Sequence, residues 1–118
     1  MKSGNDTSKN YVPDRGDVVW LNFTPQTGHE QRGKRPALIL SPKIYNEKTS
    51  LCVCLPITSK VKGYPFEVAL PKGLEVEGVI LSDQIKNLDY VARDVAYICE
   101  APHEVLANVQ KNVLALVG

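Results

Sequence analysis

The chain offers little to a metal ion. Its two histidines, His29 and His103, and three cysteines, Cys52, Cys54 and Cys99, fall in no ligand spacing, whereas a closed metal site takes about four ligands. An odd cysteine count gives no paired framework, and Cys52 and Cys54, two apart on one face of an expected strand, read as small buried hydrophobes. No glycine-rich loop of the nucleotide-binding type is present, and no serine sits in a nucleophile elbow, which argues against Ser-His-Asp hydrolysis. Apolar runs are too short for a membrane span, and residues 1–10 lack the apolar core of a signal peptide. The expectation is a soluble, cytoplasmic protein with a disordered tail over residues 1–10 and a single domain over 11–118. Charge of one sign is missing too. With 14 Lys and Arg against 13 Asp and Glu the net charge is +1, so no global field points to nucleic acid or a membrane surface. A polyanion must then be held by a local cluster.

What the chain does contain is a series of short apolar runs between turn residues. Val18-Val19-Trp20-Leu21 reads as a strand opened by Arg15-Gly16-Asp17, and Ala37 to Leu40 as a second, closed by Ser41-Pro42. Leu51 to Ile57 is nearly all apolar, which predicts a strand buried on both faces, with Pro56 marking its end or a bulge. Phe66 to Leu70 alternates, Val79-Ile80-Leu81 follows Gly78, and within residues 85–99 the pairs Tyr90-Val91 and Val95 to Ile98 favour strand. A short helix near Tyr45 to Lys48 has no support from periodicity. From Pro102 onward the period changes. Val105, Val109, Val113 and Leu116 recur at helical spacing, with Glu104 near the positive helix start, which predicts an amphipathic helix packed on the sheet. Several short strands and one terminal helix indicate a mainly β or α+β fold, most economically a small, strongly curved antiparallel barrel.

The densest chemistry lies in Gly28-His29-Glu30-Gln31-Arg32-Gly33-Lys34-Arg35-Pro36, between a permissive glycine and a rigid proline. Arg32, Lys34 and Arg35 outnumber Glu30, and Lys60 and Lys62 add to the cluster if the two loops meet. The third strand ends in Thr58-Ser59, and a late Ser82-Asp83-Gln84 precedes Lys86. These groups suit an oxyanion. Cleavage of RNA by its own 2'-hydroxyl needs a proton acceptor, a donor to the leaving 5'-oxygen, and fixed positive charge on the phosphorane. Arg35 suits the last role, because its planar fork matches two phosphate oxygens and its charge is permanent.

The motifs Gly16-Asp17-Val18-Val19-Trp20, Gly28-His29-Glu30-Gln31, Arg35-Pro36-Ala37-Leu38, Pro56-Ile57-Thr58, Gly63-Tyr64-Pro65-Phe66-Glu67-Val68 and Ser82-Asp83-Gln84, in this order, resemble the MazF/PemK family of bacterial toxins. The resemblance covers roughly residues 11–118. It implies an SH3-like antiparallel barrel with a C-terminal helix, a homodimer, and a metal-independent endoribonuclease without cofactor that cuts single-stranded mRNA. Products would carry 2',3'-cyclic phosphate and 5'-hydroxyl ends, and a MazE-like antitoxin would occupy the RNA groove. Carried over position by position, the MazF-like catalytic pair falls on Arg35 and Thr58, with Glu30 in support. The PemK-like scheme is incomplete here: His29 and Asp83 match it, but its arginine position is Leu81. A guanidinium is a poor proton acceptor, so Arg35 is read as phosphorane stabiliser and the base is left between Glu30 and His29. Phe23, His29, Gln31, Lys34, Ser59, Asp83, Gln84 and Lys86 are the candidate RNA contacts, offering aromatic, amide and charged groups at loop and strand ends. Two other classes share the fold: a CcdB-like toxin that binds DNA gyrase without cutting, and a non-catalytic barrel binding RNA or peptide.

Overall fold

The computed structural model describes residues 10–24 and 33–118. Seven antiparallel strands and two helices follow in the order β1 (Asp17–Asn22), β2 (Lys34–Ile39), α1 (Lys43–Thr49), β3 (Leu51–Thr58), β4 (Glu67–Ala69), β5 (Val79–Leu81), β6 (Lys86–Asp89), β7 (Ala96–Glu100) and α2 (His103–Val117). The strand order is β4-β5-β3-β2-β1-β7, with β6 also paired to β3. Among the described residues, no helix is long and apolar enough to cross a membrane.

The branch at β3 follows from its sequence. Leu51 to Cys54 pair with β6, whereas Ile57 and Thr58 pair with β5, and β2 runs along the other flank. The strand therefore continues through Pro56, which marks neither its end nor a bulge. Pro56 lies between the two flanking ladders, where a residue without an N–H interrupts the least pairing. The all-apolar run is explained by burial on both faces. Leu55 and Ile57 join Val18, Leu38, Ile80, Val105 and Val109 in one cluster, while Cys52 and Cys54 join Val19, Leu21, Ala37, Ile39 and Tyr90 in another. Consecutive residues of β1, β2 and β3 thus feed opposite cores, as the period of two requires.

Helix α2 closes the first cluster. Pro102 is its N-cap rather than its first helical residue, Glu104 lies in its first turn, as expected, and Val105 and Val109 are buried. The apolar stripe does not stay covered, however. Leu116 is half exposed, and Leu114 and Val117 beside it are more so. Residues 85–99 also divide differently from the expectation. Ala96 to Ile98 do lie in β7, as expected, but the earlier strand is Lys86–Asp89 rather than Tyr90-Val91, and Tyr90 leaves it to enter the second cluster, where its Oη donates to Asn46 O at 2.9 Å. Helix α1 is real although too short for a periodic signal. Its anchor is Asn46, fully buried, whose Nδ2 donates to Pro13 O (2.7 Å) and Ser41 O (3.1 Å) while Ser41 Oγ donates to its Oδ1.

Candidate functional site

Arg35 and Thr58 line one cavity. The β2–β3 ladder runs from Ile39 opposite Cys54 to Ala37 opposite Pro56, and each of the two residues lies two positions beyond that last pair, on the same end of the sheet. Pro36 stiffens the backbone beside the arginine, and Trp20 pairs with Pro36 across β1. On the other flank Thr58 pairs with Val79, and the chain just before it approaches very closely. A Cβ built on Gly78 would lie 2.1 Å from Thr58 O, and Gly78 holds φ +122°, so only glycine permits this contact.

These strand ends surround a cavity of about 510 Å³ lined by Trp20, Arg35, Ile57, Thr58, Ser59, Lys60, Glu75 and Glu77, among others. The volume is that of a small-ligand site, roughly 300–1,000 Å³. Arg35, Ser59 and Lys60 are exposed to it and Thr58 is half-buried. The Thr58 hydroxyl is oriented by its own turn. Lys60 N–H donates to Thr58 Oγ1 at 3.1 Å, which occupies an acceptor lone pair and leaves the hydroxyl hydrogen to point elsewhere. The Glu67 carboxylate then accepts the N–H groups of Lys62 (2.9 Å) and Gly63 (2.8 Å), fixing the loop that carries the lysines. The cavity can therefore present a guanidinium, an ammonium and hydroxyl donors to one oxyanion.

Of the other sequence candidates, Phe23, Lys34, Asp83, Gln84 and Lys86 do not line this cavity. Phe23 is partly buried against the second cluster, and its N–H donates to Gly33 O at 2.8 Å. Lys34 pairs with Asn22 at the start of β2. Asp83 accepts the Tyr64 hydroxyl at 3.0 Å, and desolvation together with that carboxylate pushes the Tyr64 phenol up. Gln84 and Lys86 are exposed beyond it, with Lys86 opposite Cys54. His29, Glu30 and Gln31 lie outside the described residues. Ser82 is fully buried and structural: it donates to Phe66 O and accepts Asn112 Nδ2 at 3.1 Å, tying the Asp83 turn to α2. Among the described residues no three His, Cys, Asp or Glu side chains gather as a metal site.

Sequence reasoning missed Trp20, Glu75, Glu77 and Arg93. In the sequence Trp20 reads as one more apolar residue of a strand, and only the fold shows it 39 % exposed between the fully buried Val19 and Leu21. The glutamates carried no signal, since a loop between short strands has no period. Arg93, about 70 residues from β1, donates through Nη1 to the carbonyls of Asn22 (3.2 Å) and Phe23 (2.9 Å), clamping the chain where it leaves β1.

Comparison with known proteins followed the same geometry. Residues 14–117 match the family model described as the PemK-like, MazF-like toxin of type II toxin-antitoxin systems. The chain is 45% identical over 108 residues to the endoribonuclease toxin MazF of Escherichia coli K12, covering 92% of this chain and 96% of that protein. It superposes on a crystal structure of MazF from Deinococcus radiodurans with a TM-score of 0.83 and 55% identity, covering 92% of this chain and 98% of that one. A MazE-MazF crystal structure from the same organism gives a TM-score of 0.82 at 49% identity, covering 92% and 97%.

Proposed function

The chain belongs to the PemK-like, MazF-like toxin family of type II toxin-antitoxin systems, and from that premise we propose that it is an endoribonuclease that cleaves single-stranded mRNA at short sequences. The 2'-oxygen attacks the adjacent phosphorus as its proton passes to a base; the bond to the 5'-oxygen then breaks and that oxygen takes up a proton. The products are a 2',3'-cyclic phosphate and a 5'-hydroxyl. Arg35 holds the phosphorane charge and Thr58 donates a hydrogen bond to a phosphate oxygen. Glu30 supports them, with Glu30 or His29 as the base. The remaining contacts to RNA come from Phe23, His29, Gln31, Lys34, Ser59, Asp83, Gln84 and Lys86.

The observation that carries this reading is that Arg35 and Thr58, from the ends of β2 and β3, line the same cavity. Fixed cations meet the charge need without a metal. A relative 45% identical in sequence is named an endoribonuclease toxin and a structurally similar protein is seen in a MazE-MazF complex, which favours this reading over gyrase poisoning or non-catalytic binding and points to a MazE-like antitoxin as partner. Residues 11–118 act as one toxin domain, in the cytoplasm where mRNA is met. A homodimer would cover Leu114, Leu116 and Val117 at the exposed end of α2.

Incubation with a long single-stranded RNA in EDTA, followed by mapping of cut sites and end groups, tests the proposal. Cuts at one short sequence with cyclic-phosphate ends are expected. Intact RNA, or cleavage only on adding a divalent cation, overturns it.

A further inference from the structure

Phosphate chemistry does not call for every side chain in the cavity. Beside Arg35 and Lys60 stand an indole, Trp20, and two carboxylates, Glu75 and Glu77. Carboxylates repel an RNA backbone, so their place in the cavity has to be explained by something other than phosphate. The two glutamates differ. Glu75 lies against Cys99, whose thiol is pushed up by burial and by that neighbouring carboxylate. Glu77 is exposed and precedes Gly78, the residue packed directly on the Thr58 carbonyl. The Gly78 contact and the Thr58–Val79 pairing together fix the Glu77 backbone beside the catalytic strand end. Trp20 is held from the other side by its pairing with Pro36, next to Arg35.

We propose that Trp20 and Glu77 form a nucleobase subsite beside Arg35 and Thr58, taking a base with an exocyclic amine, adenine, cytosine or guanine, next to the scissile phosphate and disfavouring uracil. The inference rests on the endoribonuclease reading above. A splayed base stacks on an exposed aromatic face regardless of its identity. The carboxylate then discriminates, because it only accepts hydrogen bonds. Adenine and cytosine each offer an amine and guanine an amine beside its N1–H, whereas the one edge donor of uracil, N3–H, is flanked on both sides by carbonyl oxygens that meet the carboxylate with like polarity. The cavity has the volume for this base as well as for the phosphate at Arg35.

The test uses RNA oligonucleotides identical except for A, C, G or U on either side of the mapped cut, with kcat and KM measured in EDTA. The unsubstituted protein should cleave amine-bearing substrates at least about tenfold better than the uracil substrate at one of these positions, the size of one good base contact. Glu77→Gln offers a donor as well as an acceptor, and the preference should shrink to about twofold with an unchanged thermal midpoint. Trp20→Ala should raise KM about tenfold or more for all four bases, and Trp20→Phe, which keeps an aromatic face, should restore most of the loss. Three results overturn the subsite: a preference retained in Glu77→Gln, an equal loss of kcat for all four bases, or an equal gain for all four. No cleavage by the unsubstituted protein overturns the nuclease reading and the subsite with it, whereas cleavage without these effects overturns the subsite alone.

Discussion

At the scale of single residues, Arg35 has the clearest role. It is exposed at the start of β2, stiffened by Pro36, and lines the same cavity as Thr58. Arg35→Ala should lower kcat about 10²- to 10³-fold, the usual effect of removing one preorganised donor to developing charge. Because the side chain is exposed, the thermal midpoint should stay within about a degree or two, surface substitutions being worth about 0.5 kcal/mol or less. Full turnover by the variant would remove Arg35 from the mechanism. This residue was legible in the sequence because a permanent cation beside a proline, at the start of an apolar strand, is an unusual combination. Glu77 was not, since its meaning comes from Gly78 packing on Thr58, a contact between segments about 20 residues apart.

At the scale of elements, the connection between β1 and β2 is held at its base. Phe23 N–H meets Gly33 O, Asn22 N–H meets Arg93 O at 2.9 Å, and the Arg93 guanidinium caps two carbonyls. Gly33 has no room for a side chain there, since a Cβ would lie 2.5 Å from Asn22 Oδ1. Arg93→Ala should therefore loosen the connection that carries His29, Glu30 and Gln31. Hydrogen bonds to a charged group contribute about 1.5–3 kcal/mol, so the thermal midpoint should fall by several degrees. The Phe23 amide should exchange with solvent at least about tenfold faster, and kcat/KM should drop while Arg35→Ala remains the more damaging change. An unchanged Phe23 exchange rate would show that Arg93 is not the clamp. Nothing in residues 85–99 announced this. Arg93 reads as a turn cation until the fold returns it to the end of β1.

Across the whole molecule, two buried clusters share one sheet, and their ionisable members set its tolerance of base. Burial, then the bond to Asp17, pushes the Tyr11 phenol well above its ordinary value, and the neighbouring Cys54, with burial, does the same for Cys52. A group raised in the folded state stabilises below its unfolded value, about 8.5 for Cys and about 10 for Tyr, and that stability is lost as pH rises past it. The urea midpoint should thus decline above about pH 8.5 and more steeply above about 10. Tyr11→Phe, which removes the bond to Asp17, should lower stability at pH 7 by about 1 kcal/mol and make the decline above pH 10 shallower. An equally steep decline in the variant would assign it elsewhere.

Most strands were legible from local chemistry. Val18 to Leu21, Ala37 to Leu40 and Leu51 to Ile57 carry enough apolar character to demand burial in any compact arrangement, and Val105 and Val109 demand a helical face. The pairing of those strands was not legible, because a period of two says which face a residue takes but not which strand lies beside it. The passage of β3 through Pro56, the turn at Tyr90 and the burial of Asn46 all follow from partners distant in sequence. The candidate site divides the same way. Its proposed reactive groups, Arg35 and Thr58, can be named from residue chemistry and motif order, whereas the cavity they share, and the contact that brings Glu77 beside them, exist only once β1, β2, β3 and β5 close around it.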